Sequence, residues 1–298
     1  MYNYTIIIPH KNCPDLLQRA LDSIPEKEDI QVIIVDDNSD ASKVDFEKFP
    51  GLERKNTIVV FDKSGKGAGR ARNIGLSKIE NNTKWVTFLD ADDFYTKDAE
   101  SIFEKYKDHN SDIIYFHCDS AFSETLEPSQ RHISRNKKLE KGKLDNGLIR
   151  YKDYVPWAKF ISYNIISQNS LEFEEIYVGN DTMFSVKLGT SCKNIEVADE
   201  TLYVVTVRKN SLVQQKNFDT LNSRYETAKR VNKYLKEHNK LKYRVNMFAL
   251  AYKFKGLGIG TMMKYMIKSL KDTSFKFIIP DLWNCFIAFC KREDDNLN

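Results

Sequence analysis

The sequence predicts an α/β protein built on a mostly parallel sheet, followed by a helical region. Three observations carry this. Short β-branched runs alternate with helix-spaced segments through the first hundred residues, the pattern of a parallel, nucleotide-binding half sheet. Two of those runs end in carboxylates, Asp36-Asp37 and Asp90-Ala91-Asp92-Asp93. That is where open α/β sheets bind ligands, outside the C-terminal ends of their strands. From Phe218 onward the apolar residues take up helical spacing.

Taken in order, Tyr4 to Ile8 is a strand expected to stop at Pro9. Pro14 at a first helical turn, then Leu16, Leu17, Ala20, Leu21 and Ile24 at helical spacing, with Pro25 beyond, predict a helix of about eleven residues. Gln31 to Val35 is the second strand. A short helix is expected over 41–49, stopped by Pro50-Gly51, and a third strand over 57–61. Gly65, Gly67 and Gly69 then open a helix whose apolar face is Ile74, Leu76 and Ile79. The segment lacks the Gly-Lys-Ser/Thr ending of a Walker loop. It sets Lys66, Arg70 and Arg72 near a helix start, where phosphate is favoured, although an ordinary basic loop is the plainer reading of those residues.

Lys84 to Leu89 reads as a buried strand that ends in three carboxylates within four residues. Carboxylates this close repel, so a cation sits among them or one stays protonated. A hard divalent cation bridging to phosphate oxygens answers this most economically; a solvated acidic turn is the bland alternative. Thr96 is expected to cap a helix running to Tyr106, followed by a strand over 112–117. From Ser120 to Gly147 the polar, basic composition predicts loop. Apolar character returns over 155–161. A helix over 182–188 closed by Gly189, and two short strands over 195–198 and 202–207, complete the first part.

The 298 residues suit one large α/β domain with a helical appendage, divided at 1–212 and 213–298. Hydrophobic content of 41% and charged content of 30% are ordinary for a globular protein. The formal charge of +4 is unevenly spread: residues 229–276 hold 13 Lys/Arg and 2 Asp/Glu, a net of +11, which leaves −7 on the remainder. The five cysteines are odd in number and lack metal-ligand spacing, so reduced thiols are expected. The N-terminus has no signal-peptide pattern, and no apolar run approaches the ~18 residues of a membrane span. The best candidate, 275–290, is interrupted by Lys276, Pro280 and Asp281. These features predict a cytoplasmic protein, at most peripheral on the inner face of the cell membrane. The five scattered histidines are expected to be structural or exposed.

Several ordered motifs together resemble the family 2 glycosyltransferases, inverting enzymes of the GT-A fold. They are Ile-Ile-Ile-Pro-His-Lys-Asn (6–12), Val-Asp-Asp-Asn-Ser (35–39), Gly-Arg-Ala-Arg-Asn-Ile-Gly (69–75), Leu-Asp-Ala-Asp-Asp (89–93), Trp-Ala-Lys (157–159) and Gly-Asn-Asp-Thr-Met-Phe (179–184). The resemblance covers about residues 4 to 210. It implies a GT-A fold with a helical C-terminal appendage. The implied reaction moves a hexose or N-acetylhexosamine from a nucleotide diphosphosugar, expected to be a UDP-sugar, to a glycan acceptor hydroxyl. It implies bacterial capsule, lipopolysaccharide O-chain or similar surface glycans as products. Pro9 would line the nucleobase pocket, Asp37 would accept the uracil imide N–H, and Arg72 would sit beside the nucleotide. Asp90, Ala91 and Asp92 match the family's Asp-x-Asp, Asp90 toward the ribose and Asp92 on Mn²⁺ or Mg²⁺. Asp181 matches the general base, while Trp157, Lys159 and Asn180 would shape the acceptor and sugar side. The chain departs from the family in having Asn180-Asp181 where Glu-Asp is common, which keeps the base and removes a like charge beside it.

Two other readings fit a similar fold. A sugar-phosphate nucleotidyltransferase usually carries a Gly-rich basic loop after its first strand, where this chain has Pro9-His10-Lys11-Asn12. A non-catalytic glycan- or partner-binding member would not need Asp37, Asp90, Asp92 and Asp181 together. Residues 229–276 interleave lysines with apolar residues, which suits either an anionic membrane surface, useful for a lipid-linked acceptor, or a cap on the core. No nucleic-acid motif accompanies the charge, so no nucleic acid is expected as partner.

Overall fold

A computed structural model describes residues 2–80, 82–143, 145–208 and 217–295, with side chains to residue 287 in the last helix. The chain divides into two compact units, Met1–Ile176 with Asn180–Ser211, and Tyr177–Gly179 with Leu212–Asn298. The boundary expected at 212/213 lies outside the described residues.

The first unit holds an eight-stranded sheet. Its strands are β1 (Tyr4–His10), β2 (Ile30–Asp37), β3 (Thr57–Asp62), β4 (Trp85–Phe88), β5 (Phe94–Tyr95), β6 (Ile113–Phe122), β7 (Lys159–Ser162) and β8 (Ile195–Val207), in the order β3-β2-β1-β4-β7-β6-β8-β5. The first four run parallel, β7 lies antiparallel to both neighbours, β8 runs parallel to β6, and β5 closes the edge antiparallel to β8. Alternate residues of the strands feed opposite faces. Ile6, Ile8, Val32 and Ile34 pack into one apolar cluster, and Ile7, Ile33 and Val35 into the other. Burial on both faces explains why these strands read as unbroken apolar runs. Helices α1 (Pro14–Asp22), α2 (Ala68–Ser77), α3 (Ala99–Tyr106), α4 (Ile133–Gly142), α5 (Asn146–Lys152), α6 (Tyr163–Gln168) and α7 (Asn180–Ser191) complete the unit.

The structure corrects several expectations. Pro9 does not stop β1. The strand runs on to His10, because beyond Ile7 it has a ladder partner only on the β2 side, and a missing N–H is tolerated there. Residues 41–49 form turns, not a helix. Asp40 accepts the Ser42 N–H at 2.9 Å, and Asp45 accepts those of Glu47 and Lys48 at 3.0 and 3.3 Å. Such side-chain bonds compete with helical ones. Thr96 does not cap α3; its hydroxyl donates to the Thr201 carbonyl, 2.7 Å. The stretch 120–147 is not loop throughout, since it contains the end of β6, α4 and the start of α5. Buried Leu139 and Ile149 and an inward-facing Arg135 hold it. Gly189 lies within α7, where an added Cβ would strike the Arg150 carbonyl, so it is a packing glycine, not a helix stop. The two strands expected over 195–207 are one, with register slips around His117 absorbing the interruption.

The second unit is helical among the described residues: α8 (Phe218–Glu237), α9 (Met247–Tyr252), α10 (Ile259–Asp272) and α11 (Phe275–Asp295), with short 3₁₀ turns at Leu241–Tyr243 and Lys253–Leu257. Leu221, Tyr225, Ala228, Met247, Ala251, Phe254 and Tyr265 form its own core. Apolar residues on other faces are left in solvent, Ile259, Met263, Ile267 and Leu270 on α10 and Phe275, Ile279, Trp283 and Phe286 on α11. Among the described residues no helix is long and apolar enough to cross a membrane.

Candidate active site

Parallel register gathers the site. His10 pairs with Asp36, so β1 and β2 finish together; β4 ends beside Ile7, and the Leu89 N–H donates to the Ile7 carbonyl, 3.1 Å, before the chain turns into Asp90–Asp93. Strand alternation then sorts the two aspartates of β2. Asp36 turns inward. It accepts from His10 Nδ1 at 2.8 Å and from the Ser39 N–H at 2.9 Å. His10 Nε2 in turn accepts the Cys13 N–H, 3.1 Å, which fixes the ring as a strut between two loops. Asp37 faces the other way, accepting from the Gly67 N–H at 2.9 Å and Lys11 Nζ at 3.0 Å. An ionised carboxylate has about four acceptor positions, so Asp37 retains room for another donor.

Helix α2 starts from Gly67 at φ +89°, a conformation that costs a glycine little. Gly69 then lies where a Cβ would strike the Glu174 carbonyl and stand 3.0 Å from Asn180 Cβ. That close approach brings Arg72, 6% exposed, to the start of α7. Its guanidinium forks, with Nη2 donating to Asp90 Oδ1 at 2.6 Å and Nη1 to Asn180 Oδ1 at 3.1 Å. Arg72 and Asn180 are thereby joined, with Asp181 next on the same helix turn.

The three carboxylates after β4 have three different environments. Asp90 shares Arg72, and its N–H donates to the Tyr203 hydroxyl at 3.0 Å. Burial pushes its carboxyl above the usual range, with Arg72 opposing and Asp92 reinforcing. Asp92 reaches the surface, where Arg208 Nη2 lies 2.6 Å from its Oδ2. Asp93 is buried, accepting from the Tyr203 hydroxyl at 2.9 Å and the Thr206 N–H at 2.7 Å. Burial first, then Asp92 and Asp90, raise its pKa strongly. The repulsion expected within the cluster is thus relieved by Arg72, Arg208 and a carboxyl held toward its neutral form.

Among the described residues no three His, Cys, Asp or Glu side chains converge to enclose a metal ion. The donor set nevertheless suits Mg²⁺ or Mn²⁺, which are commonly held by one or two carboxylates completed by substrate phosphates and water. Asp92, with Asp90 behind it, would supply those carboxylates.

Asp181 stands in the first turn of α7 and keeps partial exposure. Burial raises its carboxyl pKa; Arg72 opposes the rise, and Asp90 adds to it. Pro9, near the end of β1, is partly exposed, whereas Ala91, 5% exposed, packs into the apolar core. Two further expected residues do not reach an open surface. Trp157, 5% exposed, is stacked on Tyr203 with ring centroids 4.8 Å apart, and the Arg135 guanidinium lies 5.0 Å from its ring centroid. Lys159, 1% exposed, donates to the Asp153 and Val155 carbonyls and lies 3.2 Å from the Asp153 carboxylate. Lys159 opens the interior strand β7 and Trp157 lies just before it; from its buried position Lys159 still acts on Asp181, opposing the rise of that carboxyl's pKa. Sequence reasoning did not single out Tyr203, which ties Asp90 to Asp93, or Arg208. Neither lies in a motif, and only the fold of β8 brings them near.

The model of the family described as glycosyl transferase family 2 matches residues 5–168. The minor teichoic acid biosynthesis protein GgaA of Bacillus subtilis is 27% identical over 230 residues, which is 72% of this chain and 50% of that protein. The succinoglycan biosynthesis protein ExoW of Rhizobium meliloti is 36% identical over 103 residues, 33% of this chain and 32% of that protein. The chain therefore spans half or less of these curated relatives. The crystal structure of S. aureus TarS 1–349 in complex with UDP-GlcNAc superposes with a TM-score of 0.69 at 19% identity, covering 92% of this chain and 82% of that one.

Proposed function

The chain belongs to glycosyl transferase family 2 and has its GT-A fold, and on that premise we propose that it transfers a hexose or N-acetylhexosamine from a UDP-sugar to an acceptor hydroxyl, with inversion, in the synthesis of a bacterial surface glycan. The observation that carries this is the set of Asp37, Arg72, Asp90, Asp92 and Asp181 at the C-terminal ends of β2 and β4 and on the helices α2 and α7 beside them. The names of GgaA and ExoW support a surface polysaccharide, and the TarS complex supports a UDP-sugar. The names of these relatives mention teichoic acid and succinoglycan, which fall among the similar surface glycans expected beside capsule and O-chain.

In this reading Asp37 takes the base imide N–H, with Pro9 along the base. Asp90, set by Arg72 and Tyr203, holds the ribose side. Mg²⁺ or Mn²⁺ on Asp92 would stabilise the diphosphate leaving group as a Lewis acid. Asp181 removes the acceptor proton as the hydroxyl oxygen attacks the anomeric carbon from the face opposite the diphosphate. The bond from anomeric carbon to phosphate oxygen breaks, and the nucleoside diphosphate leaves with the electron pair. A raised pKa suits this role, because a more basic carboxylate takes the proton more readily. Asn180, in place of an acidic neighbour, both spares Asp181 a like charge and holds Arg72. The acceptor is read as a glycan, lipid-linked and met at an anionic membrane surface by the exposed apolar faces of α10 and α11 and their lysines.

The test is hydrolysis of a panel of nucleotide sugars with and without Mn²⁺, in wild type and Asp92→Ala. One UDP-sugar should be turned over, dependent on both the metal and Asp92. Turnover in Asp92→Ala equal to wild type would make the cluster an ordinary acidic turn and remove the proposal.

A further inference from the structure

The helical unit contains a cationic cavity of about 290 Å³, distinct from the carboxylate site and lined by Lys229, Lys233, Lys236, Arg244, Lys271 and Thr273. Its volume lies at the lower edge of small-ligand sites. One carboxylate, Asp272, also lines it but is already engaged. The Tyr225 hydroxyl donates to it at 3.2 Å, and Lys229 Nζ lies 2.9 Å from it. Arg244 is paired with Asp281, its Nε donating at 2.9 Å. Lys233 lies 4.0 Å from the half-exposed Glu237. Among the described residues, Lys236 and Lys271 have no carboxylate within ion-pair distance. Cations gathered around one small cavity repel each other unless an anion joins them.

Two further features point to that anion. Thr273, 8% exposed, has its hydroxyl oxygen buried with no hydrogen-bond partner among the described residues. An unmet buried hydroxyl is costly and rare in a folded protein. Thr273 and Ser274 also lead straight into α11, a 21-residue helix. The dipole of a helix favours negative charge at its start, although the Phe277 N–H there is already taken by the Ser274 carbonyl, 2.8 Å.

We infer that this cavity binds a phosphoryl group, as a monoester or a diester. Lys236 and Lys271 supply unneutralised charge, while Thr273 Oγ1 supplies a directed donor from the cavity wall. A tetrahedral anion with two or three acceptor oxygens matches donors arriving from several directions better than a planar carboxylate does. This goes beyond sugar transfer and stands whether or not that reading holds.

The test is calorimetric titration of the full chain with inorganic phosphate at fixed ionic strength. It is run on the wild-type chain without divalent metal, where the unbridged carboxylates of the first site repel phosphate and Arg208 stays paired with Asp92. One binding event is expected. Lys236→Ala with Lys271→Ala should weaken it about tenfold or more, and Thr273→Val severalfold, whereas Thr273→Ser retains it. Two arms identify the source. Competition by sn-glycerol 3-phosphate marks a soluble or polymeric phosphate, and binding to phosphatidylglycerol vesicles that is lost in the double-lysine variant marks a lipid headgroup. No phosphate binding, unchanged affinity in the double-lysine variant, or an equal response to chloride would overturn the inference.

Discussion

At the scale of single residues, the carboxylates of Asp181 and Asp153 behave in opposite ways because different forces dominate. For Asp181 burial wins, and its pKa is raised. A base must be ionised to act, so activity should rise with pH through that raised value. The acidic limb of kcat should lie above the ordinary carboxylate pKa of about 4. Asp181→Asn should lower kcat by about 10² or more with donor affinity unchanged; calorimetry showing lost donor affinity would make Asp181 structural. For Asp153 burial would raise the pKa, but Arg135 and Lys159 outweigh it and hold it at about 2. The bidentate pair, with Arg135 Nε and Nη2 each 3.1 Å from an Asp153 oxygen, shows why. A folded pKa below the unfolded ~3.9 stabilises above pH about 4, and the contribution, about 2 kcal/mol, is lost as pH falls toward 2. Asp153→Asn would leave two buried cations without their anion, and urea denaturation at pH 7 should show a loss of about 3–5 kcal/mol. A change near zero would mean that the interior triad is hydrated.

At the scale of elements, the strands and the first helices were legible because β-branched runs and helical spacing are local signals. Turns over 41–49 were not, since Asp40 and Asp45 decide them through side-chain bonds to backbone. Helices α4 and α5 were hidden for a different reason: their polar composition conceals Arg135, whose burial depends on Asp153. The site was legible where motifs marked it and illegible where the sheet made it, as with Tyr203 and Arg208. Gly69 shows how much one approach between elements matters. Gly69→Ala should force α2 away from the Glu174 carbonyl, lowering stability by about 1–3 kcal/mol and weakening donor binding through Arg72. Thermal melting and donor titration check both, and an unchanged melt would show that the contact yields freely. On α10, Met263→Asp with Ile267→Asp should cut binding to anionic vesicles by about tenfold or more while leaving the fold intact. Equal sedimentation with vesicles would assign that face to another role.

At the scale of the whole molecule, charge follows the division of the chain. The net +11 of residues 229–276 falls entirely within the helical unit, leaving the remainder acidic. Attraction to an anionic surface should therefore weaken with salt as the Debye length shortens from about 10 Å at 0.1 M to about 3 Å at 1 M. Co-sedimentation at those two salt concentrations measures it, and salt-independent binding would mean the apolar faces act alone. The three tryptophans also fall in three different places. Trp85, 1% exposed, is in the core of the sheet; Trp157 is stacked behind the carboxylate cluster; Trp283, 62% exposed, is on α11. The protein thus carries three indoles whose emission differs in colour and quenching. Acrylamide should extinguish the long-wavelength light of Trp283 first, and contact with lipid should move that light to the blue. Occupation of the cluster should alter only the signal of Trp157, so one emission spectrum, with single Trp→Phe replacements to assign it, reads the core, the site and the helical unit separately.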